Sequence, residues 1–402
     1  MSRGYGCPEP EQDYVGIAQL LLERGVDVNA RKKGKTTPLH SAAFKESFKV
    51  ARVLLDYGAN VDAENDECET PLNLVVQNGY DSQDSIDFAR LLLERGVNVD
   101  ARNKNKTTPL HSAASGAMFQ TAQVLLDHGA NADAENDEGE TPLNLVSRLE
   151  YSYEFKEGGE CSVGIARLLL ERGVDVNARN KNKTTPLHSA ASQGWLKTAQ
   201  VLLDHGANAD AENDEGDTPL NLVARCDDEL EDCGDIARLL LERGVDVNAR
   251  NKNKTTPLHS AAFGGGSKVA RVLLDHGANA DAENDEGETP LNLVSRGRYG
   301  DFQNHVRVAR LLLERGVDVN AQNKNKTTPL HSATFRGKIR IARMLLDHGA
   351  NADAENDEGE TPLNLVARCD GKLEDCVNIV RLLLEQGVDV NGRKGTSGPR
   401  YI

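Results

Sequence analysis

Thr185-Pro186-Leu187-His188-Ser189-Ala190-Ala191, followed by Val201-Leu202-Leu203-Asp204-His205-Gly206-Ala207-Asn208, is the stretch whose reading decides the fold. A threonine hydroxyl suits a helix N-cap, and proline suits the first helical position, where its missing N–H is not needed. Leu187, Ala190 and Ala191 then share one helical face, and Gly194 ends the helix. A second helix places Ala199, Val201, Leu202 and Leu203 on its inner side and Lys197, Gln200 and Asp204 outside. His205 falls in its last turn, where partial positive charge matches the helix dipole, and Gly206 supplies a left-handed stop. The polar run Ala207 to Asp217 reads as a projecting hairpin. Neither helix is long enough to stand alone in water, so each must bury its apolar stripe against neighbours.

Working outward, the Thr-Pro-Leu motif holds ten of the thirteen prolines, behind Thr37, Thr70, Thr108, Thr141, Thr185, Thr218, Thr256, Thr289, Thr328 and Thr361. A period near 33 residues is the signature of a stacked helical repeat. Spacings of 33 alternate with spacings of 38, 44, 38 and 39, so the duplication unit is a pair of repeats. Odd members carry His after the motif leucine; even members carry Asn and have five to eleven extra residues between their helices, as in Arg148 to Gly164 and Arg225 to Asp235. Val15-Gly16-Ile17-Ala18 matches Val163-Gly164-Ile165-Ala166, which makes the array open on the second helix of an even-type repeat. The expected organisation is an N-terminal tail over 1–14, a leading half repeat plus ten repeats as five odd/even pairs over 15–391, and a disordered tail over 392–402. Neither end carries the polar capping repeat that solenoids normally need, which predicts an array taken from a longer one or truncated in the gene.

The rest of the composition fits thin packing. Across 402 residues, apolar types make up 38% and aromatics 4%, too few for a thick core of large side chains. A net charge of −16 disfavours general nucleic-acid binding, because phosphate repels such a surface. No apolar run approaches the roughly 20 residues needed to span a bilayer, and Met1 to Tyr14 lacks the apolar core of a signal peptide. Seven cysteines, an odd number, predict reduced thiols and an intracellular setting, cytoplasmic or nuclear.

The motif residues quoted above resemble the ankyrin repeat, and the match recurs from Val15 to Asn391. The resemblance implies an all-α fold, an α-solenoid of helix–turn–helix units with projecting hairpin fingers. It also implies a concave face that binds other proteins, and no catalytic activity of its own. The sequence departs from the family pattern at the finger turn. Even repeats keep glycine before Thr-Pro at Gly139, Gly216, Gly287 and Gly359, with Cys68 in the first, whereas odd repeats carry Lys35, Lys106, Lys183, Lys254 and Lys326. A lysine forced to positive φ costs roughly 1 kcal/mol, unless a neighbour such as Asn182 takes that conformation instead. Asn73, Asn144, Asn221, Asn292 and Asn364 replace the motif histidine, and an amide can preserve its hydrogen bonding by donating and accepting.

Catalytic chemistry has no support in the pattern. The repeat explains the spacing of nine of the ten histidines, and none is paired with a repeated Ser or Cys outside it, so no triad is indicated. Cys226 and Cys233 recur as Cys369 and Cys376, and two thiols without a nearby histidine make a poor zinc site. They read as reduced thiols in duplicated loops. The acidic finger Asp133 to Glu140 has its glycine one place too late for a calcium loop, leaving at most weak divalent-ion condensation. Gly34-Lys35-Thr36 lacks the earlier glycine of a phosphate loop. Asn105-Lys106-Thr107 and its copies match a glycosylation sequon but read as turn residues. No catalytic residue, cofactor or metal is therefore expected.

Two features bear on binding. Odd fingers are basic, with Lys104, Lys181 and Lys252, and even fingers carry five acids each, so neighbouring hairpins should zip together. Variation among odd repeats concentrates at residues 44–47, 115–118, 192–195, 263–266 and 334–337, where specificity can lie. Aromatic and arginine residues are the usual interface anchors. The candidate contacts are Phe44, Met118, Trp195, Phe335 and Arg336, joined by Lys104, Lys181 and Lys252. Trp195 has Ser47, Met118, Gly266 and Lys338 as counterparts, a set that predicts a solvent-facing site. The expected function is a non-catalytic scaffold that binds a protein partner, without nucleic acid, membrane insertion or a small-molecule substrate. The alternative is a partner-sensing or targeting segment of a larger enzyme or immune-type ATPase.

Overall fold

The computed structural model describes residues 11–78, 81–148, 158–226, 228–230, 232–297 and 302–388. Most of the two expected tails lies outside the described residues. Among the described residues there are 21 helices and no strands, so the fold class is an all-α solenoid. The chain divides into two compact units, Met1–Pro186 with Val201–Ala207, and Leu187–Gln200 with Asn208–Ile402.

The first unit contains α1 (Glu11–Glu23), α2 (Pro38–Phe44), α3 (Phe48–Asp56), α4 (Pro71–Asn78), α5 (Gln83–Glu94), α6 (Pro109–Ser115), α7 (Phe119–Asp127), α8 (Pro142–Val146) and α9 (Gly158–Glu171). The short helices that open with proline stack in one layer, α2 on α4, α4 on α6 and α6 on α8. The longer helices stack in a second layer, α1 through α3, α5 and α7 to α9. Helices α10 (Pro186–Gln193) and α11 (Leu196–Asp204) are divided between the units. The second unit holds α12 (Pro219–Val223), α13 (Cys233–Glu242), α14 (Pro257–Gly264), α15 (Ser267–Asp275), α16 (Pro290–Arg296), α17 (Phe302–Glu314), α18 (Pro329–Phe335), α19 (Ile339–Asp347), α20 (Pro362–Val366) and α21 (Leu373–Glu385). It has the same two layers, α12 to α20 through the even-numbered helices and α13 to α21 through the odd-numbered ones.

Apart from the half-buried Leu363, the leucines of the Thr-Pro-Leu motifs anchor the core. Leu39, Leu72, Leu110, Leu143, Leu220, Leu258, Leu291 and Leu330 are completely buried. Each such burial is worth about 1.5–3 kcal/mol relative to an exposed side chain. Ala113, Ala114, Ala261 and Ala262 are equally buried, and their size lets neighbouring backbones approach. In the second layer, Ile17 and Leu21 of α1 are 55% and 49% exposed, whereas their counterparts Ile165 and Leu169 of α9 are fully buried.

The motif threonines cap the short helices. In α2, α6, α14 and α18 the hydroxyl accepts the backbone N–H of the histidine three residues on, whose ring accepts from the threonine N–H in return. In α8, α12, α16 and α20 asparagine plays the same part, completing a reciprocal capping box. The finger lysines themselves take the left-handed conformation, with φ of 53–56°, rather than passing it to a neighbouring asparagine.

The extra residues of the even repeats have a structural role that the sequence did not disclose. Neither Met118, ahead of α7, nor Gly266, ahead of α15, caps its helix through a side chain. Asp81 instead accepts from Gln120 N (2.8 Å), Thr121 N (3.0 Å) and Thr121 Oγ1 (2.7 Å). Asp228 accepts from Lys268 N (3.0 Å) and from the Ser267 hydroxyl. A carboxylate from the preceding insert thus satisfies donors that the helix start leaves open and complements its dipole.

Candidate functional site

The fingers are zipped at two levels. Neighbouring tips share backbone hydrogen bonds, Lys104 N to Glu67 O (3.0 Å), Asp137 N to Asn105 O (2.9 Å) and Lys181 N to Glu138 O (3.0 Å) in the first unit. The second unit repeats them with Lys252 N to Glu215 O (3.0 Å), Asp285 N to Asn253 O (3.0 Å) and Lys324 N to Glu286 O (2.9 Å). The left-handed lysines then reach acids of the next finger, Lys106 to Asp137 (2.9 Å), Lys254 to Asp285 (2.8 Å) and Lys326 to Asp357 (3.1 Å). Lys104 pairs with Glu67 at 3.1 Å. These groups are exposed, so each pair contributes only about 0–1 kcal/mol. The charge alternation thus joins the fingers to one another, as the sequence predicts. Lys104, Lys181 and Lys252 remain exposed on that strip.

Two pockets in the second unit repeat the same construction. One, of about 530 Å³, is lined by Phe263, His259, Asn251, Asn253 and the arginines Arg225 and Arg296. The other, of about 520 Å³, is lined by Phe335, His331, Asn323, Asn325, Arg296 and Arg368. Each therefore sits between an odd finger, the end of an odd first helix and two arginines of the flanking even repeats. The arginines are held in place: Arg225 bonds Asp217 at 2.5 Å, Arg296 bonds Glu288 at 2.9 Å and Arg368 bonds Glu360 at 2.6 Å. Asp217 and Glu288 are buried while their arginine partners are half-exposed, so the carboxylates fix where the guanidiniums present their remaining donors. Sequence reasoning missed Phe263, which is 45% exposed, and these arginines. The signal was present, an Arg following the Leu-Val of each even first helix from Arg148 onward.

The predicted contact residues fall into two groups. Phe44 is 59% exposed and Phe335 lines a pocket. The helix ends put Phe335, rather than Thr334, in register with Phe44 and Phe263, each the seventh residue from its helix-opening proline. Thr334 is completely buried. Arg336 stacks its guanidinium 5.2 Å from the Phe335 ring centre and pairs with Asp370, so it borders the pocket as part of a local cluster. Met118 is half-buried, folded against Gly116.

Trp195 requires a correction. The expectation of a solvent-facing site rested on Ser47, Gly266 and Lys338 as counterparts, yet Lys338 is only 5% exposed and donates from Nζ to Val294 O at 3.1 Å. The end of α16 provides a carbonyl that receives the ammonium, and burial, with Arg336 nearby, pushes the Lys338 pKa down to about 8. Trp195 itself is half-buried, and the lysine at the equivalent position is accommodated by the Val294 carbonyl.

The motif histidines are structural. His259 Nδ1 lies 2.8 Å from Thr256 Oγ1 and accepts Thr256 N–H at 3.2 Å, which leaves Nε2–H to donate to Glu288 O at 3.0 Å. His40, His111 and His331 repeat this geometry. Burial disfavours the charged ring and lowers the pKa of all four, to about 4 at His259. The asparagines preserve the pattern: Asn144 Oδ1 accepts from Thr141 N (2.9 Å) while Nδ2 donates to Ala178 O (3.2 Å). His128, His205, His276 and His348 each bond the carbonyl four residues back at 2.8 Å, closing the end of a second helix. Among the described residues no three His, Cys, Asp or Glu side chains converge as a metal site would require.

The cysteine reading is corrected as well. Cys369 and Cys376 form a disulfide, whereas Cys226 and Cys233 remain thiols. The insert between them is short enough to bring two residues seven apart into bonding distance, which the count of cysteines alone did not reveal. No described helix is long and apolar enough to cross a membrane.

Comparison with known proteins agrees with this geometry. The family model for ankyrin repeats (three copies) matches residues 11–103, 81–154, 159–251, 230–323 and 301–394. A probable E3 ubiquitin-protein ligase of Oryza sativa subsp. japonica is 39% identical over 17% of this chain and 14% of its own length. The human ankyrin repeat and SOCS box protein 9 is 40% identical over 16% of this chain and 22% of its own. A putative ankyrin repeat protein of Rickettsia felis is 37% identical over 19% and 35%. The chain thus spans well under two thirds of these relatives, and the similarity lies in the repeats. With capped helix pairs, zipped fingers and a family match running through nearly its whole length, the chain belongs to the ankyrin repeat family.

Proposed function

We propose that this chain is a non-catalytic scaffold that binds a partner protein along the face made by the fingers and the ends of the odd first helices. The observation that carries the reading is the repeated pocket: an exposed or half-exposed phenylalanine between two arginines, each held by a finger carboxylate. Aromatic and arginine side chains in such settings are the usual interface anchors. Phe44, Phe335, Arg336, Lys104, Lys181 and Lys252 remain the proposed contacts, with Phe263 added; Met118 and Trp195 contribute as half-buried flanks. The reading carries with it the expected organisation, a leading half repeat and ten repeats as odd/even pairs.

A displayed peptide library selected on the full chain tests this. Binding clones should lose about tenfold or more in affinity, ~1.4 kcal/mol, on Phe263→Ser or Phe335→Ser. They should be unaffected by Asp281→Ser, which lines a separate pocket with Asn248 and Asn279. Clones indifferent to both phenylalanine variants would overturn the placement of the site.

A second reading, a partner-sensing segment within a larger protein, is favoured by the relatives, among them a ubiquitin ligase and a SOCS box protein whose matched repeats form 14% and 22% of the whole. In it the same face would select what the rest of the assembly acts on.

A further inference from the structure

The two Cys-x6-Cys inserts are built on one frame. Each follows an even first helix and lies against the left-handed turn that ends the preceding odd first helix. In the C-terminal insert that turn is Phe335 to Gly337. Asp370 N donates to Phe335 O at 2.8 Å, and a Cβ placed on Gly337 would stand 3.4 Å from Cys369 Sγ. In the other insert the turn is Ala191 to Gly194. Cys226 Sγ lies 3.6 Å from Ser192 O and 3.9 Å from Ala191 O, and a Cβ placed on Gly194 would stand 3.2 Å from Cys233 Sγ. Gly194 and Gly337 share the left-handed backbone, φ 76° and 66°. Both sulfurs of the N-terminal pair therefore converge on a single turn, as the bridged pair does.

We propose that Cys226 and Cys233 are a second dithiol site, which closes to an intraloop disulfide by exchange with a low-molecular-weight disulfide such as oxidised glutathione. One thiol loses its proton and attacks the oxidant, forming a mixed disulfide and releasing one glutathione thiolate. The second cysteine, as thiolate, then displaces the other glutathione. Two protein thiols and one glutathione disulfide become one protein disulfide and two glutathione thiols, the two protons passing to the departing thiolates. Cys226 and Cys233 are both buried, 6% and 1% exposed, whereas of the other pair Cys376 is buried and Cys369 only half-buried, so the second site reacts more slowly than Cys369–Cys376. The covalent step needs no binding partner, so its fate is separate from that of the proposed interaction face. Closure would fix the insert over the turn next to Trp195, the sole tryptophan, which gives the site an optical reporter.

The full chain is fully reduced, freed of reductant and incubated with mixtures of reduced and oxidised glutathione. Remaining thiols are alkylated and peptides mapped by mass spectrometry without reduction. The expected products are two linked pairs, Cys369–Cys376 appearing first and Cys226–Cys233 later and at more oxidising ratios. Trp195 emission should change with the second event and not with the first. In Cys226→Ser and Cys233→Ser the late bridge and the emission change should both vanish while the Cys369–Cys376 bridge still forms. Three results overturn the proposal. They are Cys226 and Cys233 still alkylated when Cys369–Cys376 is fully bridged at the most oxidising ratio, a stable glutathione adduct without closure, or linkage of either residue to Cys68 or Cys161. The mapping on the unmodified sequence decides the matter even if a serine variant fails to fold.

Discussion

Odd and even repeats differ, among other positions, at the third residue of the first helix, His or Asn, and at the finger turn, Lys against Gly or, once, Cys68. Set side by side, they show how one scaffold satisfies the same demands with different chemistry. In both, the side chain three residues after the threonine accepts from the threonine N–H and donates to a carbonyl of the following finger. Imidazole does this with two nitrogens, as in His259 to Glu288 O, and carboxamide with an oxygen and a nitrogen, as in Asn292 to Ala321 O. The geometry is conserved between them, and what changes is its response to protons. A buried imidazole can be charged and resists it; an amide cannot be charged at all.

The largest expected consequence is acid sensitivity carried by the odd repeats. The histidine pKa values are lower in the folded chain than the ordinary 6.5, so the unfolded chain takes up protons first as pH falls. Stability is therefore full above about pH 6.5 and declines towards pH 4, by about 3 kcal/mol from His259 alone. Urea melts at pH 7.5 and 4.5 should differ by several kcal/mol in total, and His259→Asn should shrink the difference. A slope that survives that change would place the acid sensitivity elsewhere.

At pH 7.5 the comparison predicts unequal costs at one site. His259→Ala, which orphans Thr256 N–H and Glu288 O and leaves a void, should cost about 3 kcal/mol. His259→Asn, which imports the even-repeat solution, should cost about 1 kcal/mol. Equal costs would mean that the two residues are not equivalent in the cap. A smaller effect tests the inserts: Asp228→Ala removes the cap on α15 and should cost about 1 kcal/mol, read as faster amide exchange over Ser267 to Val269. Smallest of all is Lys254→Gly. Relief of the left-handed strain, roughly 1 kcal/mol, is offset by loss of the Asp285 pair, and the net change should be within ~1 kcal/mol. Its melting midpoint should also respond less to salt than that of the unaltered chain.

Much of this was legible in the sequence because the repeat is local. Thr-Pro-Leu fixes a helix start, Gly206 and its copies fix a helix stop, and the 33-residue spacing fixes the stacking partner. The capping equivalence of His and Asn and the zipping of fingers followed from the same periodicity. What was missed depends on contacts between non-equivalent segments. Asp228 caps a helix in the next repeat, Lys338 finds its acceptor in the preceding one, and Arg296 is oriented by a finger carboxylate eight residues upstream. The exposure inferred for Trp195 failed because a buried lysine was judged by transfer cost alone, with no account of the Val294 carbonyl that receives it. The bridging of Cys369 and Cys376 likewise depends on how the insert folds back, which spacing alone does not convey.

The most direct test of the odd/even equivalence is a nitrogen-15 titration of the imidazole rings by NMR. His40, His111, His259 and His331 should remain neutral with the proton on Nε2 below pH 6.5, His259 titrating near pH 4. In the same spectra His128, His205, His276 and His348 serve as the comparison set, with Nδ1 engaged by the carbonyl four residues back. Any of the first four that titrates near 6.5, or carries the neutral proton on Nδ1, would contradict the odd/even equivalence.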